Sequence, residues 1–589
     1  VLYQELAKLA AELEDHLGDP QDPTSRMPFA AVLAADEREE YPYTFVNLLQ
    51  RWGVPDYNIP EAQGGRAGDV ATGYQLLRLI ARRDPTTATA LIITSLAFMP
   101  AWIAGTEEQK QYLADAMRQG SRYAWGLSER QHGSDVLANE MTADKVPGGW
   151  LLTGEKWLIG NARVSDGLML FARTRAGGGP AGYSIFLLEK RRCPAGTVEE
   201  LPNERLHGLR ALDMSGVRLD RVFVPESALI GAEGAGLEIA LKTSQVARTL
   251  IGSIALSAVD TALRVTLDFT EQRRIFGQLV SDIPYSRRQL TESFADLMVA
   301  DAVSLGAVRS LQLLPEQTSV WSSVVKYFVP TLLERTMSQL NVVLGARFYL
   351  RDTPHYGIHQ KMLRDLLVAN FADGNTVVNL KNLALQLEGL LESAAGPVQD
   401  AAAVAAAERR APVLYGPEQP LPMYRPWDQE LFSRGRDDAL LAAPAAVDEL
   451  RRRAARQEPA EHRRLLQAAE LAEELLERAG PLRERCRALK ADLGRAYGQS
   501  AELFDLAKEY CLLHAVAACL HAHLHASLGE PFPSGALLLL QLERLRRQWY
   551  PHETVTDSAV VDEVMAALRQ LHQEGRLFSY GRFQLARAS

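Results

Sequence analysis

Three histidines and a cysteine near the end of the chain have the types and spacing for metal chemistry. Cys511, His514, His521 and His525 stand three, seven and four residues apart, on one face of a helix, and all are metal-ligand types. One straight helix rarely gives one ion more than two ligands, and Leu512, Leu513, Val516 and Leu520 lie between them. A packed helix is the better reading, and no metal is expected. Other familiar sites are missing. No G-x-G-x-x-G or P-loop follows a strand, and there is no G-x-S-x-G elbow and no H-E-x-x-H. Asp373, before Gly374, is a carboxylate that could act as a base or could simply end a helix in a turn.

A fixed order of short motifs carries more information. These are IPEAQGG (59–65), GTEEQKQYLADAMRQG (105–120), LSERQHGSDV (127–136), GEKWLIGN (154–161), VFVPE (222–226), QRRIFG (272–277) and LRDLLVANFADG (363–374).

The elements that must position them follow from hydrophobic period. Residues 1–122 read as a helical domain, with TGYQLLRLIARRD apolar at helical spacing. Residues 123–232 change to short aliphatic runs between turn residues, a β domain. Helical period returns over 233–392 as a bundle. The Ala/Pro-rich stretch 393–428 reads as a linker, and 429–589 as a helical extension long enough for its own core. The most apolar stretch, residues 90–105, is short for a membrane span and reads as a buried helix, so no transmembrane segment is expected. The acidic N-terminal segment does not resemble a signal peptide. Net charge is −9 over 589 residues, which disfavours nucleic acid as a partner. Four cysteines form no disulfide framework, so a cytoplasmic location is expected.

Taken in order, the motifs resemble the acyl-CoA dehydrogenase flavoproteins over roughly residues 45–392. The resemblance implies a mainly α fold with a central, barrel-like β domain between an N-terminal helical domain and a C-terminal four-helix bundle. Here an extra C-terminal helical domain follows, as in larger members. It implies FAD, a homodimer or homotetramer, and an electron acceptor such as an electron-transfer flavoprotein. The implied reaction removes a proton from the α-carbon of an acyl-CoA or acyl-carrier-protein thioester and passes a β-hydride to flavin N5. By motif position, Leu127 and Ser128 match contacts to the flavin edge, Ser134 a pyrophosphate contact, and Trp157 a flavin wall. Arg273 and Phe276 match contacts to the partner subunit's FAD, where an Arg fork suits a diphosphate. Gly345, Asn375 and Thr376 match the phosphate and adenine side. Asp373 falls at the position of the family's usual Glu base.

Three departures stand out. Asp is one methylene shorter than Glu, about 1.5 Å. Ile159 replaces a Thr near N5. The glycine motif at 342–349, VVLGARFY, keeps only Gly345. The other family position for a base is occupied here by Ala247, which has no carboxylate. Two other readings remain: a flavin monooxygenase or oxidase on the same scaffold, and a non-catalytic acyl-binding protein.

Overall fold

Asp69 and Asp84 start two helices that carry much of the N-terminal core. Asp69 accepts from the N–H of Ala71, and Asp84 from those of Thr86 and Thr87, so each caps groups the helix cannot bond itself. The computed structural model describes residues 3–526, 534–552 and 556–587. Its first helices are α1 (Tyr3–Leu17), α2 (Phe29–Arg38), α3 (Tyr43–Trp52), α4 (Val70–Ala81), α5 (Pro85–Ala104) and α6 (Glu107–Arg118). Thr106 and Gln109 close a reciprocal capping box at the start of α6.

The strands run from Tyr123 to Ile230: β1 (Tyr123–Gly126), β2 (Thr142–Val146), β3 (Gly149–Gly160), β4 (Gly167–Arg173), β5 (Tyr183–Glu189), β6 (Val198–Leu201), β7 (Met214–Pro225) and β8 (Leu229–Ile230). They form one sheet in the order β6-β7-β3-β2-β4-β5-β8, with β1 parallel to β4. Strand β4 is apolar on both faces, and the two-residue period divides its work. Leu168, Leu170 and Ala172 join Leu152, Phe186, Val217 and Leu219 in the β core. Met169 and Phe171 face the other way, against Phe98 and Trp102 of α5.

The bundle comprises α7 (Gly236–Leu250), α8 (Gly252–Gln272), the hairpin β9 (Arg274–Ile275) and β10 (Gln278–Leu279), α9 (Pro284–Leu313), α10 (Thr318–Leu344), α11 (Pro354–Asp365), α12 (Val368–Phe371) and α13 (Thr376–Ala395). Two stretches, Pro85–Ala104 and Gly236–Gln272, are long and apolar enough to cross a membrane by length and composition. In both, most residues of the apolar window are buried inside the protein.

The stretch expected as a linker is not aperiodic. It holds α14 (Ala401–Tyr415), whose Ala407, Ala411, Leu414 and Tyr415 are buried. An alanine run is a strong helix former, which outweighs a compositional reading. The remaining helices are α15 (Asp438–Ala454), α16 (Pro459–Glu477), α17 (Ala479–Leu493), α18 (Ala501–His525), α19 (Ala536–Trp549) and α20 (Ser558–Glu574). They share one hydrophobic core with the bundle, where Phe294, Trp321, Tyr415, Tyr510 and Phe578 belong to a single cluster. The last described residues return to the N-terminal helices: Arg78 donates to the carbonyl of Phe578 (2.9 Å), and the N–H of Ala586 to Glu14 (3.0 Å). Among the described residues the extension is therefore built into the body, with only a small cluster of its own, Ala407, Ala411, Leu441 and Ala442.

Candidate active site

The loop between α12 and α13 places Asp373. Asp373 has φ 54° and Gly374 φ 91°, so both occupy the left-handed region, which Asp tolerates better than most residues. A Cβ at 374 would lie 3.1 Å from a terminal nitrogen of Arg248, a tight contact that glycine avoids. From α7, Arg248 Nε donates to the backbone carbonyl of Asp373 at 3.0 Å. Lys326 of α10 is fully buried and donates to the carbonyl of Ala369 at 2.6 Å, four residues before Asp373. Burial raises the Asp373 carboxyl above the usual range, while Lys326 and Arg248 pull the other way. Burial likewise pushes Lys326 down to about 7, against the attraction of Asp373. A carboxylate of raised basicity is what abstraction of a proton from carbon requires.

The chain leading into this loop is fixed from two sides. Arg364 donates to Asp36 of α2 (2.7 Å) and to the carbonyl of His207 (3.1 Å), and Asp365 accepts the N–H of Leu209 (2.6 Å). Lys361 joins Asp365 to Asp84 (2.8 Å) and Thr86 (3.0 Å) at the head of α5. Gly208 is required at this junction because a Cβ would sit 2.3 Å from the carbonyl oxygen of Arg364.

A second cluster gathers at the edge of the β domain. Ser128 Oγ donates to the carbonyl of Trp157 (3.3 Å), and the N–H of Trp157 donates back to the carbonyl of Ser128 (3.2 Å). Lys156, buried beneath them, donates to the carbonyl of Leu127 (3.1 Å), to Glu129 (2.8 Å) and to Asn139 (2.5 Å). Burial lowers its pKa to about 8, with Glu129 opposing. Burial alone would raise Glu129, but Lys156 and the N–H groups of Glu140 and Met141 hold it below the ordinary value. Glu129, His132 and Glu140 have ligand atoms within 4.8 Å of one another, yet Glu129 is already committed to these donors. The Trp157 indole donates to Glu204 (2.8 Å), and Arg130 lies 4.6 Å from its ring centroid. Ser134 is exposed in the loop that follows.

The side chain of Ile159 is buried. Leu158 has φ 58° and the β3–β7 register shifts between Trp157 and Ile159, which turns Ile159 into the β core with Leu168 and Val217. The Cys/His face of α18 is likewise used in packing: His514 bonds Asp437 (2.7 Å) and His521 bonds the carbonyl of Ala439 (3.0 Å).

Arg273 and Phe276 are exposed, as Ser134 is. Arg273 directly precedes β9, and Phe276 is 94 % exposed at the turn of the β9–β10 hairpin, with Gly277. Gly345 ends α10 at φ 62°, ψ −150°, a conformation essentially confined to glycine, and a Cβ there would meet open space. Asn375 caps α13 through its side-chain oxygen on the N–H of Val378 (3.0 Å), and Thr376 opens the helix.

These residues fit a flavin dinucleotide. Leu127 and Ser128 form a polar edge fixed by Lys156, and open space lies over Gly133 and Gly345. The first turn of α13 offers N–H groups of the kind that receive phosphate. The acyl-CoA dehydrogenase N-terminal domain matches residues 26–121, the middle domain 124–222 and the C-terminal domain 234–387. The chain belongs to the acyl-CoA dehydrogenase family. It is an FAD-dependent oxidoreductase, and the family's general reaction is the dehydrogenation of acyl thioesters. An acyl-CoA dehydrogenase of Bacillus subtilis is 27 % identical over 348 residues, 58 % of this chain and 89 % of the relative. The caffeyl-CoA reductase-Etf complex subunit CarC of Acetobacterium woodii is 24 % identical over 345 residues, 58 % of this chain and 89 % of that protein. An FAD-bound acyl-CoA dehydrogenase structure from Bacillus anthracis shares the fold over 99 % of this chain and 92 % of its own, with TM-score 0.68 and 17 % identity. That likeness includes the helical extension.

Sequence reasoning missed Lys326, Lys156 and Lys361. A signal existed for the first: Lys326 is a lone charge within SSVVKYFVP.

Proposed function

We propose that this protein dehydrogenates the α,β-bond of an acyl thioester carried on CoA or on an acyl carrier protein, with Asp373 as the base. The observation that carries the reading is the half-buried Asp373 carboxyl, raised by burial and held by Arg248 on its own carbonyl oxygen. Asp373 takes the α-proton. The N–H of residue 373 is available to the thioester carbonyl, where enolate charge develops. Bound FAD supplies the hydride acceptor. Lys156 keeps the Leu127–Ser128 edge in place for it.

The exposed hairpin with Arg273 and Phe276 supports a homodimer or a homotetramer, in which this hairpin reaches the flavin of the partner subunit. An electron-transfer flavoprotein is the acceptor we favour. Anaerobic titration of the purified protein with acyl-CoA and acyl-carrier thioesters tests the reading. Flavin bleaching without added reductant is expected. Protein that carries FAD yet is bleached by none of them would refute it.

A further inference from the structure

An apolar cavity of about 160 Å³ lies between α4, α5, α7 and a strap of chain at 416–430. Leu96 and Met99 of α5 and Val246 and Leu250 of α7 line it, and Tyr424 and Trp427 of the strap close it. The strap lies beyond residue 387, where the family's C-terminal domain match ends, so this wall belongs to the extension.

The strap is tied down along its length. Arg309 donates to the carbonyls of Val413 (2.9 Å) and Gln419 (2.5 Å), and Gln312 to that of Pro422 (2.6 Å). The N–H of Tyr424 donates to the carbonyl of Gly68 (3.2 Å), which pins the strap to the N-terminal domain as well. Gln245 of α7 donates to the carbonyl of Glu430 (3.1 Å). Trp427 packs beneath Lys110, whose ammonium is 5.5 Å from a ring centroid, and Tyr424 OH accepts from Gln429 (3.2 Å). So many fixed contacts make a rigid wall.

The cavity shares helix α7 with the candidate reaction centre. Val246 and Leu250 flank Ala247 and Arg248 on α7, and Arg248 holds the carbonyl of Asp373. We propose that Tyr424 and Trp427 form the end wall of the acyl-chain site and set the longest straight chain the enzyme accepts. This rests on the thioester reading above. A dry cavity of about 150 Å³ takes a molecule the size of benzene, so the buried part of the chain is about six carbons long.

Calorimetric binding of S-alkyl pantetheines, ethyl to dodecyl, to the FAD-bound protein tests this without turnover. Pantetheine is the arm shared by CoA and carrier protein. Wild-type affinity should rise about fourfold per methylene while the chain stays buried, then stop rising near hexyl. Trp427→Ala and Tyr424→Ala should extend the rise by about two methylenes, tightening the octyl compound about fifteenfold. Trp427→Phe should leave the break near its wild-type place. If Tyr424→Ala does not fold, Trp427→Ala decides, because that ring is already 46 % exposed. A break that stays at the same length in Trp427→Ala overturns the proposal and leaves the thioester reading intact. Straight-chain alcohols separate the two claims. If they show the break and its shift while no pantetheine binds, the wall stands and the thioester reading falls.

Discussion

Removing the Lys326 charge should move the pH dependence of flavin reduction in a defined direction. Lys326 is fully buried, donates to the carbonyl of Ala369, and is one of two cations opposing the burial that raises Asp373. Lys326→Met keeps an unbranched chain of similar reach without the charge. An opposite charge nearby lowers a carboxyl pKa by about 1–3 units, so its loss should raise Asp373 by a similar amount. The base must be ionised to act, so the acid limb of the rate profile should shift to higher pH. One unit corresponds to 1.36 kcal/mol, about tenfold in rate on that limb. The wild-type lysine has a pKa of about 7, so the effect must fade above neutrality, where its ammonium is already gone. The two groups titrate as a pair. The assay is anaerobic stopped-flow bleaching with one thioester from about pH 5.5 to pH 9. A slow variant at low pH that meets the wild type near pH 9 is the expected result. An acid limb that stays in place, or moves to lower pH, refutes the reasoning. Stability gives a second reading. A lysine depressed in the folded state lets the unfolded chain bind more protons between about 7 and 10.5, so wild-type stability should gain on the variant as pH rises through that window.

Further outcomes follow from the same contacts. Lys156→Met removes three donated bonds beneath the Leu127–Ser128 edge, and purified protein should lose much of its FAD, read by absorbance per chain; full occupancy would show that the edge needs no support. Arg273→Ala should lower FAD occupancy, and Phe276→Asp should weaken the oligomer in gel filtration, because both side chains lie exposed at the hairpin. Limited proteolysis should cut the exposed stretch 397–400 before α14, yet the fragments should co-elute, since Tyr415 is buried in the common core and lies near Trp321; separation of the fragments would mean an independent extension.

The succession of helices, strands and helices was legible because hydrophobic period changes from helical to two and back. Asp373 was singled out by its place after Arg364-Asp365, and the ordered motifs singled out Leu127 and Ser128, which the structure ties to Lys156 and Trp157. What stayed hidden depends on tertiary neighbours. Lys156 follows the inward parity of Trp150 and Leu152 on β3, but nothing in the strand names Glu129 or Asn139 as its partners. The inward turn of Ile159 was not legible, because a positive φ at Leu158 reverses the alternation, and β-branching or hydropathy does not announce such a bulge. The alanine-rich run before Tyr415 was taken for a linker by composition. Its Ala407 and Ala411 are buried against Leu441 and Ala442, and Tyr415 lies near Trp321, neighbours that the run itself does not name.

The most direct test of the central claim is anaerobic reduction of the Asp373→Asn protein. The variant keeps the backbone N–H at 373, and Arg248 still has its carbonyl acceptor, so FAD and acyl thioester should both bind. Bleaching by the thioester should slow by at least about a hundredfold, the scale of general-base catalysis. An Asn variant that reduces its flavin at the wild-type rate would contradict the account and place the base elsewhere.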